Sequence, residues 1–214
     1  MASYVYDLAQ LIHQQELAPV TIVAHSMGGN IALRYTGTYP ETVSKLVSIE
    51  GMGPSPSQLA RRAKTTAPQR MRGWIEHKRS LAARTPRKYA SIEEAFARMQ
   101  AENKHLTPEQ ARYLTVHGAA QNEDGTYSWK FDNYVRAFAP YGFSAAEITS
   151  LWREISCPTL LVHGADSWMS TPQNNGALEF FANAQTATIA NAGHWVHHDR
   201  LQEFLAIVEP FLKS

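Results

Sequence analysis

Apolar positions along the chain follow two patterns. Within residues 4–16, Val5, Leu8, Leu11 and Ile12 recur at three- and four-residue spacing, which predicts an amphipathic helix. Residues 26–35 carry the same spacing and stop short of Pro40. Residues 200–212 do so again, with Leu201, Phe204, Leu205, Val208 and Leu212 on one face. Four short runs instead are apolar or β-branched without polar alternation, at 19–24, 45–50, 158–163 and 185–190. Runs of this kind predict strands buried on both faces, the mark of a parallel sheet between helices. Residues 51–56 break all order, and from 57 to about 152 Arg-, Gln- and Ala-rich helical stretches alternate with breaks at Pro68, Pro86, Pro108 and Pro140. Asn122, Glu123, Asp124 and Gly125 signal a turn before a short extended piece at 127–131. The order is strand, helix, strand, a long helical insertion, then strand, helix, strand, helix. That is an α/β plan.

Composition narrows the class. With 44% hydrophobic and 18% charged residues in 214, the chain can bury a core and is not a disordered polymer. No apolar run approaches the ~20 residues of a membrane span, and residues 1–7 lack a signal-peptide layout. Neither a membrane nor, at a net charge of +1, a nucleic-acid partner is indicated. The single cysteine, Cys157, excludes an intrachain disulfide and a multi-cysteine metal site, and a cytoplasmic location is the resulting expectation. Charge is uneven: residues 61–88 carry +9 and the rest −8. A solvated helix face accounts for this better than an anion-attracting surface.

Candidate chemistry sits where strands end. Ala24-His25-Ser26-Met27-Gly28-Gly29 spans a strand-to-helix junction, so Ser26 lies on a sharp turn with small residues needed at Ala24 and Gly28. The following helix directs its N-terminal N–H groups at the serine, and the Met27 N–H is suited to hold a developing oxyanion. A serine nucleophile needs a base, and the base an orienter. His194 follows the last strand and Asp166 the third, at the same carboxyl edge. The chain order is Ser26, Asp166, His194. His25 points away from the serine and packs on the sheet. Trp168 and Trp195 flank acid and base, and with His25 are the candidates for lining a substrate pocket. His197, His198 and Asp199 beside His194 do not make a metal site, since adjacent histidines cannot easily face one ion and no further ligands are evident. Asp199 reads as a helix-start residue.

The motifs AHSMGG at 24–29, LLVHGADS at 160–167 and NAGHWVHHD at 191–199 resemble the α/β-hydrolase superfamily, in its capped serine-esterase branch. The resemblance implies a partial α/β-hydrolase fold, with core residues 1–51 and 153–214 and a helical cap at 52–152. It implies Ser26 as nucleophile, His194 as base then acid, and Asp166 as orienter. A serine rather than an aspartate in the elbow disfavours the epoxide-hydrolase and dehalogenase branches. The expected substrate is a small-molecule carboxylic ester, and no cofactor is implied. Two departures from the family pattern stand out. Its acid often lies three residues beyond the strand-end glycine, which here is Ser167. Glu50 occupies the other position where relatives keep the acid, and Asp166 is preferred to it. The family's front strands, with the loop that gives the second oxyanion donor, have no counterpart before the elbow strand. That strand is then an exposed edge suited to self-association, so an alternative is a weakly active or non-catalytic protein acting by association.

Overall fold

The computed structural model describes residues 1–137, 139–169 and 176–214. The chain divides into two compact units, one of Met1–Thr65 with Tyr141–Ser214 and one of Thr66–Pro140. In chain order the first unit contains α1 (Ala2–Gln14), β1 (Val20–His25), α2 (Met27–Thr38), β2 (Val43–Ile49) and α3 (Pro56–Ala63). The second contains α4 (Ala67–Ala82), α5 (Ile92–Glu102), α6 (Pro108–Gly118), β3 (Ala119–Gln121) and β4 (Tyr127–Trp129). The chain then returns to the first with α7 (Ala145–Glu154), β5 (Thr159–Gly164), β6 (Ala184–Ile189), α8 (Val196–Asp199) and α9 (Leu201–Lys213).

Among the described residues β1, β2, β5 and β6 form one parallel sheet in the order β1-β2-β5-β6. Alternate side chains of the central strands β2 and β5 enter different cores. Leu46 and Leu161 join Ile12, Leu33, Ile148 and Trp152 under α1, α2 and α7. Val47, Ile49, Leu160 and Val162 join Phe204, Val208 and Phe211 of α9. Leu46 and its neighbour Val47 are both 0% exposed, which is why this strand reads as an unbroken apolar run. β1 pairs only with β2 among the described residues, and Val23 is 48% exposed.

The second unit is shorter than the insertion expected at 52–152, because its flanking helices belong with the sheet. α7 packs on α2 and α3 on α7, and Leu59 of α3 packs on the sheet's core. Within the second unit, Pro68 and Pro108 lie in the first turns of α4 and α6. Each helix opens with a reciprocal capping box, Thr66 with Gln69 and Thr107 with Gln110. The turn at Asn122–Gly125 joins β3 to β4 antiparallel, with Gly125 at φ 81°. Most of the basic residues of 61–88 are exposed.

The α2–α7 contact depends on the absence of a side chain at Gly37, where a Cβ would lie 2.2 Å from the Leu151 carbonyl oxygen. Gly37→Ala therefore lowers the melting temperature by roughly 5–10 °C, the effect of about 2–3 kcal/mol of overpacking. At Gly73, in α4, a Cβ meets nothing within 4 Å, and Gly73→Ala leaves the melting temperature unchanged or slightly raised. Thermal denaturation of both variants checks the pair, and equal effects would contradict the packing described.

Candidate active site

Four parallel strands end at one edge, and the polar groups collect there. Ser26 is the single residue between β1 and α2, with φ 54° and ψ −119°. A non-glycine residue in this region carries strain of about 1–3 kcal/mol, sustained only where its surroundings fix it. The Ser26 N–H donates to the Ile49 carbonyl at 2.8 Å, and the Ser26 carbonyl accepts from the Asn30 N–H at 3.1 Å. Met27 opens α2, so its N–H is one of the helix's four without an intrahelical acceptor.

The space requirement lies one residue beyond the expected place. A Cβ at Gly28 would meet only the Ala24 Cβ, at 3.9 Å, an ordinary contact. At Gly29 it would lie 2.7 Å from Ser48 Oγ and 2.8 Å from the Gly51 Cα. Gly29 and Gly51 thus let the start of α2 touch the end of β2, where Glu50 stands.

The histidine loop is seated by a second close approach. A Cβ at Gly164 would lie 2.3 Å from the Gly193 carbonyl oxygen. The Gly193 N–H donates to Asp199 Oδ2 at 2.8 Å, and His25 Nε2–H donates to the His194 carbonyl at 2.8 Å. Asp199 ends the short α8 and braces this loop, rather than capping a helix start. So held, His194 accepts from Ser26 Oγ at Nε2, 2.8 Å away, and turns Nδ1 toward Glu50 Oε2 at 3.4 Å. The carboxylate can only accept, which assigns the proton to Nδ1 and leaves Nε2 basic.

The expectation that Asp166 stands behind the histidine does not match this arrangement. Asp166 is exposed, and its backbone N–H bonds the Ala192 carbonyl at 2.9 Å. The turn after Gly164 sends the next side chain inward instead, and Ser167 Oγ donates to Glu50 Oε2 at 2.7 Å. The Glu50 side chain is 0% exposed and sits at φ 50°. Its Oε1 accepts from His163 Nδ1 at 2.7 Å and from the Gly164 N–H at 2.8 Å. Burial pushes its pKa up, but the hydrogen bonds from His163, His194, Gly164 and Ser167 outweigh it and hold the carboxyl at about 2. Position 167 is marked in the sequence only as the family's usual acid position, and nothing local reports that Ser167 or His163 contacts Glu50. For His163 the signal is a histidine inside an otherwise apolar strand.

Of the candidate pocket residues, Trp168 is 80% exposed with its ring 5.3 Å from that of His194. Trp195 is half-buried and lies against His198. The His25 ring lies 4.9 Å from His194 and 4.8 Å from His197. Burial, then the neighbouring His198, His25 and His194, lower the His197 pKa to about 4. Burial also lowers that of His25. Among the described residues no three His, Cys, Asp or Glu side chains are grouped to hold a metal ion, and no helix is long and apolar enough to cross a membrane. Cys157 is buried, and burial pushes its thiol pKa up.

These groups make stability pH-dependent in two windows. His197 is kept neutral in the fold, so its stabilisation is complete above the ordinary value of 6.5 and is lost as pH falls toward about 4. Glu50 is kept charged, so its stabilisation is complete above the ordinary 4.5 and is lost as pH falls toward about 2. Urea midpoints should therefore fall through both windows. His197→Phe should make the upper window shallower, with His25 keeping part of it, and Glu50→Gln the lower, which Asp124, held at about 2 by its hydrogen bond from Lys88, shares. Midpoints of the unsubstituted chain that are level between pH 6.5 and 4 would refute the upper assignment.

Comparison with known proteins agrees with this fold. The chain is 28% identical over 214 residues to the sn-1-specific diacylglycerol lipase ABHD11 of Mus musculus, covering 96% of this chain and 63% of the relative. It is 26% identical over 207 residues to the esterase Rv0045c of Mycobacterium tuberculosis, covering 94% and 63%. The chain thus spans a little under two thirds of the length of these relatives. Its fold superposes on the crystal structure of the hypothetical protein PA1622 of Pseudomonas aeruginosa with a TM-score of 0.81, at 22% identity over 99% of this chain and 74% of that one. The family model for the alpha/beta hydrolase fold matches residues 1–201, and the chain belongs to that family.

Proposed function

We propose that the chain is a serine hydrolase that cleaves carboxylic esters through an acyl-enzyme on Ser26. The observation that carries this reading is the 2.8 Å hydrogen bond from Ser26 Oγ to His194 Nε2, on a serine in a strained strand-to-helix turn. In this reading Ser26 Oγ attacks the ester carbonyl carbon while His194 Nε2 takes its proton. The Met27 N–H receives the oxyanion, and the start of α2 adds its dipole. His194 then returns the proton to the leaving alcohol. Water, deprotonated by the same nitrogen, releases the acid and restores the serine. Glu50 is the acid of the triad: it fixes the His194 tautomer and offsets the imidazolium charge. The esterase and lipase names of the relatives support the ester as substrate class.

One observation favours a second reading. β1 is unpaired on its outer edge among the described residues, with Val23 exposed, a surface suited to association between copies. A dimer in size-exclusion chromatography whose Ser26 ignores fluorophosphonate would favour it.

The test of the hydrolase reading compares three variants on p-nitrophenyl acetate. Ser26→Ala should abolish both hydrolysis and fluorophosphonate labelling. Glu50→Gln should lower kcat by about 10²–10⁴, while Asp166→Asn stays within about twofold of the unsubstituted chain. A loss at Asp166→Asn equal to that at Glu50→Gln would overturn the choice of acid. A fully active Ser26→Ala would overturn the nucleophile.

A further inference from the structure

His163 is a buried titratable residue that the proposed reaction does not use. It lies in β5, in register with Thr188 of β6, and is 4% exposed. With Ser48 and Met52 it lines a small cavity that Glu50 also borders. Its Nδ1 stands 2.7 Å from Glu50 Oε1, closer than His194 Nδ1 stands to Oε2, at 3.4 Å.

We propose that His163 is a positioning residue, whose Nδ1–H sets the plane of the Glu50 carboxylate so that Oε2 faces His194. The proposal rests on the reading of Glu50 as the acid. A glutamate has one more rotatable bond than an aspartate, so its carboxylate needs more restraint to present one oxygen to a fixed imidazole. The Ser167 hydroxyl cannot supply it alone, because it rotates about its own Cβ–Oγ bond and shares Oε2 with His194. Oε1 is held differently. Two N–H groups converge on it, from the His163 ring and the Gly164 backbone, and both belong to a strand paired on either side. Two fixed donors on one oxygen leave the other oxygen little freedom.

The choice of a histidine also has an electrostatic consequence. A lysine or arginine would bring a full positive charge to Glu50 and cancel the field that His194 needs when it takes the serine proton. An imidazole can donate one ring N–H to the carboxylate without a permanent positive charge. His163 touches no reacting atom, so it acts only through Glu50.

The experiment compares His163→Asn, His163→Gln and His163→Leu with the unsubstituted chain and Ser26→Ala. It measures kcat per fluorophosphonate-titratable site and KM on p-nitrophenyl acetate. It also records the low-field proton NMR spectrum, where hydrogen-bonded imidazole N–H protons appear. His163→Leu should lose about 10–100-fold in kcat with KM unchanged, the scale of a slightly misplaced catalytic group. His163→Asn puts a side-chain N–H close to the place of Nδ1 and should recover most of the loss, whereas the longer His163→Gln should not. The spectrum should lose one low-field resonance in His163→Leu and keep it in Ser26→Ala. A folded His163→Leu with full kcat overturns the proposal. If His163→Leu does not fold, equal kcat values for the Asn and Gln variants overturn it. Failure of the underlying hydrolase reading looks different, because the unsubstituted chain would then hydrolyse no faster than Ser26→Ala.

Discussion

A carboxylate with no solvent contact organises the edge of the sheet. Removing a charge of that kind from water costs several kcal/mol, and the cost is offset only when its lone pairs are filled. Glu50 meets that condition with donors from two separate stretches of chain. His163, Gly164 and Ser167 come from β5 and the turn after it, and His194 from the loop after β6. Satisfying one charge therefore requires both loops to arrive at the end of β2 in register. Glu50 adopts φ 50° to be there, so the backbone is strained at the same point where the hydrogen bonds converge.

Convergence of this density is a packing problem as much as an electrostatic one. The start of α2 reaches the end of β2 because Gly29 faces Gly51 with no Cβ on either. The histidine loop reaches β5 because Gly164 faces the carbonyls of Ala192 and Gly193. These two contacts bring Ser26 and His194 toward Glu50 from opposite sides. His25 then ties the halves together by bonding the His194 carbonyl, a role fixed by its place beside the elbow serine.

Features that depend on neighbours in sequence were legible before the structure. The two central strands, β2 and β5, read as unbroken apolar runs because both faces of the sheet are covered there, whereas the outer strands β1 and β6 keep some side chains exposed. The elbow and the histidine loop were visible because a strand end, a small residue and a polar group stand side by side. Features that depend on distant contacts were not. Whether α7 belongs with the sheet is decided by Gly37 against Leu151, 114 positions away, and nothing in α7's composition reports it. Gly28 and Gly29 are indistinguishable as letters, and the distant Ser48 and Gly51 make the second the tighter. The chain order of Ser26, Asp166 and His194 points to Asp166, yet in the turn after Gly164 it is the Ser167 side chain that faces Glu50.

That contact shows why position 167 and position 50 belong together. Where relatives carry the acid three residues past the strand-end glycine, the carboxylate would occupy the place of Ser167. In this chain the Ser167 Oγ is 2.7 Å from Glu50 Oε2. Two carboxylates at such a distance cannot both ionise, and one would be forced to hold a proton. A hydroxyl at 167 removes the conflict and reverses its sign, since it donates to the charge that an aspartate would repel. The carboxylate at the end of β2 can stay ionised because the position that would compete with it has become a donor.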